Sequence, residues 1–322
     1  MKKQLFTIIT FLTVFNLSTL ANDCSYQRPS VDIDNSIYDN LDLAEIAVAQ
    51  FRRSDNLYIK KSSGGIHPED KRVAKTSRSP KFLDAVGRLE VKYPSGKTFT
   101  CTANLSDTVP GRASRVLTSN RHCFYNAETG EKASSIKWTT KLQDGSVITK
   151  MAKLEVEDEA TDTALLSFDE PIPFSKIKPL ILETELTLDP DEMSLYSKNI
   201  LSAGFSSDKE IGKNGYVLTY SEGLDGRNFK RGVTNSVVIN AFTYGGASGG
   251  ALIADADLSE EDIENPYDQK YLLGTLRGGS SGATVEHRSG NGVEGSNSSI
   301  YSSYSSFFKH YGDTIFEKLN HE

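Results

Sequence analysis

The sequence predicts an all-β fold in which many short strands form a sandwich or a barrel. From residue 81 onward, ten short runs rich in β-branched and aromatic residues are separated by Gly, Asn, Asp and Ser. Long helices do not alternate with these runs, which argues against a parallel sheet with crossover helices. One helical pattern follows the runs at residues 302–319.

The predicted strands follow one another closely along the chain. In order, they are AVGRLEVKY, KTFTCTANL, SRVLTS, SIKWTT, SVITKMAKLEV, TALLSF, NGYVLTYSE, NSVVINAF, GGALIA and YLLGTLR. Short strands at this spacing are typical of closed or two-layered antiparallel sheets. We therefore expect residues 81–322 to form one β-rich body.

The C-terminal pattern predicts an amphipathic helix over residues 302–319. Its apolar residues recur at the spacing of one helix face and comprise Tyr304, Phe307, Phe308, Tyr311, Ile315 and Leu319. Such a helix would close the β-rich body by packing this face against it.

The first residues predict export. Lys2 and Lys3 precede an apolar stretch, and Thr19-Leu20-Ala21 places small residues at the positions that a signal peptidase reads. Residues 1–21 are therefore predicted to be a signal peptide cleaved after Ala21, with secretion to the extracellular space or the periplasm. An uncleaved membrane anchor is the alternative, but the apolar stretch is short and ends in polar residues.

Residues 22–80 predict an N-terminal extension or a pro-segment. Apolar residues at helical spacing occur in 41–53, and the basic stretch EDKRVAKTSRSPK at 69–81 has the composition of an exposed linker with sites for a trypsin-like cut. The sequence leaves open whether this region is removed during maturation.

The whole chain of 322 residues carries 36 Lys and Arg against 43 Asp and Glu, a net charge of −7. This balance argues against a nucleic-acid partner, which would favour a basic face. We expect a monomer without a stable membrane anchor. The acidic stretch at 255–270 predicts a solvated loop or a calcium site, although its spacing matches no standard calcium loop. No zinc-type Cys/His cluster occurs, so neither a metal nor a cofactor is predicted.

Three cysteines, in an oxidising compartment, predict one disulfide and one remaining thiol. The runs that contain Cys101 and precede Cys123 are joined by the polar segment SDTVPGRA, which predicts a hairpin. A hairpin brings Cys101 and Cys123 near each other, so we expect these two to form the disulfide and Cys24 to be the cysteine left over.

Ser248 is surrounded by glycines in TYGGASGGAL, residues 243–252. Glycine is accepted where the backbone takes unusual dihedrals or where another group comes close. A tight surface turn would explain the pattern. A nucleophilic serine beside N–H groups that face a reacting carbonyl would explain it too, provided that a base activates its hydroxyl.

His122 is the best candidate for that base among five histidines. It stands at the end of the apolar strand in RVLTSNRHCF, where a disulfide from Cys123 would fix the turn. Asp162, in EDEATDTALLSF, directly precedes a run apolar enough for a core strand and could orient the imidazole. Taken alone, Asp162 would be an ordinary turn residue.

Together, these motifs resemble those of the chymotrypsin-like (trypsin-fold) serine endopeptidases. TSNRHC, DTALL and GGASGGAL are similar to the histidine, aspartate and serine motifs of that family and occur in its order, over roughly residues 83–312. The resemblance implies two six-stranded antiparallel β-barrels with a C-terminal α-helix, and a triad of His122, Asp162 and Ser248. It also implies an oxyanion hole formed by the N–H groups of Gly246 and Ser248.

The same resemblance implies a substrate-binding wall that differs from the family pattern. Its residues would be Phe242, Thr243, Leu276, Arg277 and Gly278. Leu276-Arg277-Gly278 lies where the family commonly has Ser-Trp-Gly. No acid for a basic P1 side chain is evident, so an apolar or small P1 residue is expected. The histidine–cysteine pair and GTLRGG are most similar to secreted bacterial lysyl and glutamyl endopeptidases.

The residue before the serine also departs from the pattern. Ala247 stands where the family usually has an acid, which in trypsin-type enzymes pairs with a newly cleaved N-terminus. We therefore expect that activation does not insert a new N-terminus beside Ser248.

Two rival interpretations remain at this stage. GASGG also fits the nucleophile elbow of α/β-hydrolases, which would require a later histidine such as His287 and alternating helices. Alternatively, Ala247 and Leu276 could belong to a protease-fold binding protein that is weakly active or inactive.

Overall fold

The structure is a computed structural model that describes residues 66–126, 129–194, 200–232, 235–254, 267–279, 286–312 and 314–321. The predicted signal peptide at 1–21, the helical pattern at 41–53, Cys24 and most of the acidic stretch at 255–270 lie outside the described residues. No helix within these ranges is long and apolar enough to cross a membrane.

Six antiparallel strands close into the first barrel. The strands are β2 (Val86–Lys92), β3 (Thr98–Asp107), β4 (Ser114–Asn120), β5 (Ser135–Lys141), β6 (Val147–Asp158) and β7 (Thr163–Ile172). Neighbouring strands pair in the order β2-β3-β4-β7-β6-β5, and β5 pairs with β2 to complete the circle.

Six further strands form a second antiparallel unit. The strands are β9 (Ile200–Gly204), β10 (Thr219–Leu224), β12 (Ser236–Ile239), β14 (Ala251–Ala254), β15 (Tyr271–Gly279) and β18 (Ser299–Ser302). They pair in the order β10-β9-β14-β15-β18-β12. The predicted fold class of two six-stranded antiparallel units is thus confirmed, and the parallel, helix-alternating fold of an α/β-hydrolase is excluded for the described residues.

Short strands extend these two units. β8 (Leu180–Leu182) pairs in parallel with both β3 and β15 and so joins the two units. β1 (Val73–Ala74) adds to the edge of β10, and β11 (Lys230–Arg231) adds to β12. A small separate sheet contains β13 (Thr243–Tyr244), β16 (Glu286–Arg288) and β17 (Glu294–Ser296).

The C-terminal region contains two helices where the sequence predicts one. The described helices are α1 (Pro190–Met193), α2 (Ser305–Tyr311) and α3 (Thr314–His321). Gly312 ends α2: its φ is +79° and its N–H donates to the carbonyl of Phe308. A left-handed glycine after the last turn terminates a helix. Tyr304, Phe307 and Phe308 are buried, as the predicted face requires.

Large apolar side chains fill both units. The first barrel buries Leu89, Leu105, Leu117, Trp138 and Phe168 almost completely. The second unit buries the inward side chains Val237, Leu252, Leu273 and Tyr301.

The basic stretch at 69–81 differs from the exposed linker that its composition predicts. Val73 and Ala74 pair with Tyr220 and Thr219 on β10, and the side chain of Arg72 is only 4% exposed. A buried guanidinium requires partners of opposite charge. Composition alone does not reveal them, since they include a carboxylate far along the chain.

Candidate active site

His122 lies in a short 3₁₀ turn, Arg121–Phe124, that follows β4 directly. The next residue, Cys123, forms a disulfide with Cys101 on β3, as the hairpin predicts. The buried hydroxyl of Tyr93 donates to the carbonyl of Cys123 at 2.9 Å, and burial raises the pKa of Tyr93 to about 12. Cys123 is therefore held through both its side chain and its carbonyl, and this fixes the turn that carries the imidazole.

Asp162 faces His122 from the residue just before β7. Its Oδ2 lies 2.6 Å from the imidazole Nδ1, and its Oδ1 accepts the backbone N–H of His122 at 2.9 Å. When the carboxylate is ionised it can only accept hydrogen bonds; the Nδ1 atom then carries the proton, and Nε2 is the acceptor of the neutral ring. This is the tautomer that a general base at Nε2 requires.

The backbone around Asp162 is held by its neighbours. Asn120 donates from Nδ2 to the Asp162 carbonyl at 2.7 Å, and the N–H of Arg121 donates to the same oxygen at 3.1 Å. Asp162 has a φ of 56°, in the left-handed region that aspartate tolerates better than most residues. Sequence reasoning missed Asn120, whose role depends on the pairing of β4 with β7.

Ser248 lies in the glycine-rich loop between β13 and β14 and is half-buried. Its carbonyl accepts the N–H of Thr102 at 2.7 Å, and the Sγ of Cys123 lies 3.9 Å from the same oxygen. Thr102 adjoins Cys101 on β3, so one strand contacts both the serine loop and the histidine turn. The loop of Ser248 thus contacts the turn that carries His122, through Cys123.

The glycines beside Ser248 have specific structural causes. Gly246 has a φ of +92°, and a Cβ there would lie 2.6 Å from the Oγ of Ser207. A Cβ on Gly249 would lie 2.1 Å from the carbonyl oxygen of Thr102. A side chain at position 246 would push the serine loop away from the loop containing Ser207, and a side chain at position 249 would push it away from β3. Within the described ranges, the N–H groups of Gly246 and Ser248 donate to no acceptor.

Three of the predicted substrate-wall residues line one small cavity behind the serine loop. Phe242, Thr243 and Leu276 share it with Tyr301 and Arg72. The Thr243 hydroxyl lies 2.8 Å from that of Ser299, and the ring of Phe242 lies 4.9 Å from the ring of His67.

The other two predicted wall residues lie elsewhere on β15. Gly278 is half-buried, with open space where its Cβ would be. Arg277 places its Nε 3.9 Å from the Oδ2 of Asp162, with 7% of its side chain exposed. The guanidinium therefore adds a positive charge near the carboxylate that also contacts His122.

Arg72 reaches this region from outside the predicted site. Its guanidinium lies 4.4 Å over the ring of Tyr244 and pairs with Asp70 and Asp208. Burial opposes its charge, but hydrogen bonds and charge attraction from the two carboxylates raise the pKa of Arg72 above its usual value. Burial also raises the pKa of Tyr244 above its usual range.

Among known proteins, no family model matches the sequence and no curated protein matches it. Several solved structures share a distant likeness. A Glu endopeptidase is 17% identical over 78% of this chain and 100% of its own, with a TM-score of 0.47. The protease Anisep from Arthrobacter nicotinovorans is 13% identical over 73% of this chain and 98% of its own, with a TM-score of 0.47. The HL collagenase is 12% identical, the match covers 76% of this chain and 98% of the collagenase chain, and the TM-score is 0.48.

Proposed function

We propose that this chain is a secreted serine endopeptidase that cleaves proteins or peptides through a triad of His122, Asp162 and Ser248. The 2.6 Å contact between the imidazole Nδ1 and the Asp162 carboxylate, beside the loop of Ser248, carries the proposal. It orients the imidazole through Nδ1 and so makes Nε2 the basic nitrogen, and an oriented base is what a serine hydroxyl needs in order to become a nucleophile.

In the proposed reaction, the Oγ of Ser248 attacks the scissile carbonyl while His122 accepts its proton. The N–H groups of Gly246 and Ser248 stabilise the oxyanion, and His122 then protonates the leaving amine. Water attacks the resulting acyl-enzyme ester by the same route in reverse and frees the acid. Asp162 orients the imidazole and stabilises its charged form. This reaction calls for no metal or organic cofactor.

We further propose an apolar or small P1 residue. Phe242, Leu276 and Tyr301 line this small cavity beside the polar residues Ser202, Ser206 and Thr219, and Ser299 already bonds the Thr243 hydroxyl. No carboxylate is present among the described residues that line this cavity, and the guanidinium of Arg72 is paired with two acids. A peptide library with a varied P1 position tests this preference.

Hydrolysis of an unfolded protein substrate tests the proposed activity. Wild type should generate new N-termini, and Ser248→Ala and His122→Ala should each lose the activity. Ser146→Ala is the matched control, because Ser146 lies in an exposed hairpin turn where it bonds Asp144. Folded wild type without hydrolysis would favour the alternative, a protease-fold binding protein, for which the charge of Arg277 beside Asp162 provides a physical reason.

A further inference from the structure

Arg72 occupies a position that the proposed reaction does not use. Its side chain is 4% exposed, and those of its two partners, Asp70 and Asp208, are 1% exposed. Its Nη2 lies 2.7 Å from Asp70, and its Nη1 lies 2.8 Å from Asp208. Such a buried, fully paired cation is costly to assemble and is strongly disrupted when one partner is removed.

The carboxylate of Asp208 organises the loop on one side of Gly246. Its Oδ2 accepts the N–H groups of Ile211 and Gly212 at 2.8 and 2.9 Å. The adjacent Ser207 donates its N–H to the carbonyl of Gly245 at 2.7 Å. Arg72 is therefore connected through Asp208 and Ser207 to the Gly245–Gly246 peptide, whose N–H is the predicted oxyanion donor.

The second connection runs through Tyr244. The guanidinium of Arg72 lies over its ring, and Tyr244 directly precedes Gly245 and Gly246. A cation over an aromatic face is attracted by the ring and restricts its position. The carbonyl of Tyr244 also accepts the N–H of Ala247 at 3.0 Å, which closes the turn around Gly246.

We infer that Arg72 is a positioning residue that holds the peptide of Gly246 in its oxyanion-binding orientation. The inference rests on the proposed function and deepens it. It implies that residues 70–72 support the proposed active site, so the active chain retains them. Trimming that removes them would disable the enzyme instead of activating it.

The first test is independent of catalysis. Amide hydrogen exchange of the full chain should be faster by at least about tenfold at Gly245 and Ala247, whose N–H groups are hydrogen-bonded, in Arg72→Met than in wild type, because the loop loses its support. Arg78→Met is the matched control, since Arg78 is exposed and lies in the same segment. Unchanged exchange in a folded Arg72→Met protein would overturn the inference.

The second test separates positioning from substrate binding. Loss of one oxyanion donor lowers kcat by about 10²–10³-fold, so Arg72→Met should lower kcat on this scale with little change in KM. Affinity for a peptide aldehyde, which forms an oxyanion with the serine, should fall in parallel. If Arg72→Met does not fold, Arg72→Lys decides: we expect a folded protein with kcat lower by about tenfold. Wild-type kcat in folded Arg72→Lys would contradict the inference.

The two tests also separate this inference from the proposed function. An inactive wild type with faster exchange in Arg72→Met would refute the protease assignment and support the positioning role. An active wild type with neither change in Arg72→Met would support the protease and refute the role of Arg72.

Discussion

Asp162 contacts His122 through both carboxylate oxygens, one to the ring and one to the backbone. In Asp162→Asn, the amide can donate to Nδ1 and so favour the wrong imidazole tautomer. We expect kcat/KM for a peptide substrate to fall by about 10⁴-fold, as in a triad whose orienting acid becomes an amide. Asp169→Asn, on an exposed residue that pairs with Lys153, should keep wild-type activity. Equal activity of the two variants would remove Asp162 from the mechanism.

Single residues also mark the limit of what the sequence predicts about the site. His122 and Asp162 could be chosen because His122 follows one apolar run and Asp162 directly precedes another, and the structure brings the two side chains together. Arg72 could not, because one of its carboxylates lies 136 residues away and the local sequence resembles a basic linker. Arg277 was predicted in the substrate wall, yet its guanidinium contacts Asp162. The direction of a long side chain is set by tertiary charges that one strand does not contain.

Strands were predicted well where they are rich in β-branched residues. Each of the ten predicted runs contains part of a strand, from β2 to β15. Among the twelve strands of the two six-stranded units, β9 and β18 were missed. β18 reads SIYS, and serine is typical of loops, but here Ser299 is buried and donates to the carbonyl of Ala241. Burial with satisfied hydroxyls overrides the local preference of the sequence.

Gly87 on β2 packs directly against the ring of Trp138 on β5. A Cβ on Gly87 would lie 2.1 Å from the buried ring of Trp138, whose Nε1 donates to the Ala103 carbonyl at 3.0 Å. Gly87→Ala must displace that ring, so we expect a loss of about 1–3 kcal/mol in the free energy of unfolding. Urea denaturation measures it. Gly278→Ala, a strand glycine with open space at its Cβ, should cost less; equal costs would contradict the packing argument.

Helix α3 is attached to the first barrel by charge. Arg112 bonds Asp107 at 2.7 Å and Glu317 of α3 at 2.6 Å, and Asp107 is fully buried. Burial raises the pKa of Asp107, although the hydrogen bond from Arg112 opposes the shift. A raised carboxyl pKa in the folded state means that ionisation reduces stability as pH rises through it.

Arg112→Met should therefore destabilise the protein in a pH-dependent way. The variant leaves Asp107 without its cation, which costs about 3 kcal/mol when the carboxylate is charged. Thermal melting should show a larger loss at about pH 7 than at about pH 4, where protonation of Asp107 relieves the cost. Arg227→Met, which removes an exposed pair with Asp225, should show no such difference. A pH-independent loss in Arg112→Met would argue against a buried charge.

At the scale of the whole molecule, the first barrel carries the histidine and the aspartate, and the loop before β14 of the second unit carries the serine. The resemblance predicted these three residues in this order along the chain, but it did not predict which unit would carry each of them. The parallel link through β8 and the attachment of β1 to β10 were not predicted. Strands of two or three residues carry too little pattern to stand out from loops, so their pairing depends on the assembled sheet.

The disulfide between Cys101 and Cys123 should stabilise the whole folded molecule. It closes a segment with a sequence separation of 22 residues. Loss of a bridge over such a loop costs about 3 kcal/mol through the entropy of the unfolded chain. The double variant Cys101→Ala with Cys123→Ala should lose this much in urea denaturation. Dithiothreitol should destabilise wild type similarly and leave the variant unchanged; an equal effect on both would place the stabilising bridge elsewhere.

The most direct measurement is the site of covalent labelling by a fluorophosphonate, identified by peptide mass spectrometry of the full chain. We expect one adduct, on Ser248, and we expect His122→Ala and Asp162→Asn each to reduce its rate of formation greatly. Such labelling requires an activated serine, which follows only from an oriented base. A folded wild type that remains unlabelled, or an adduct on another serine, would contradict the proposed triad.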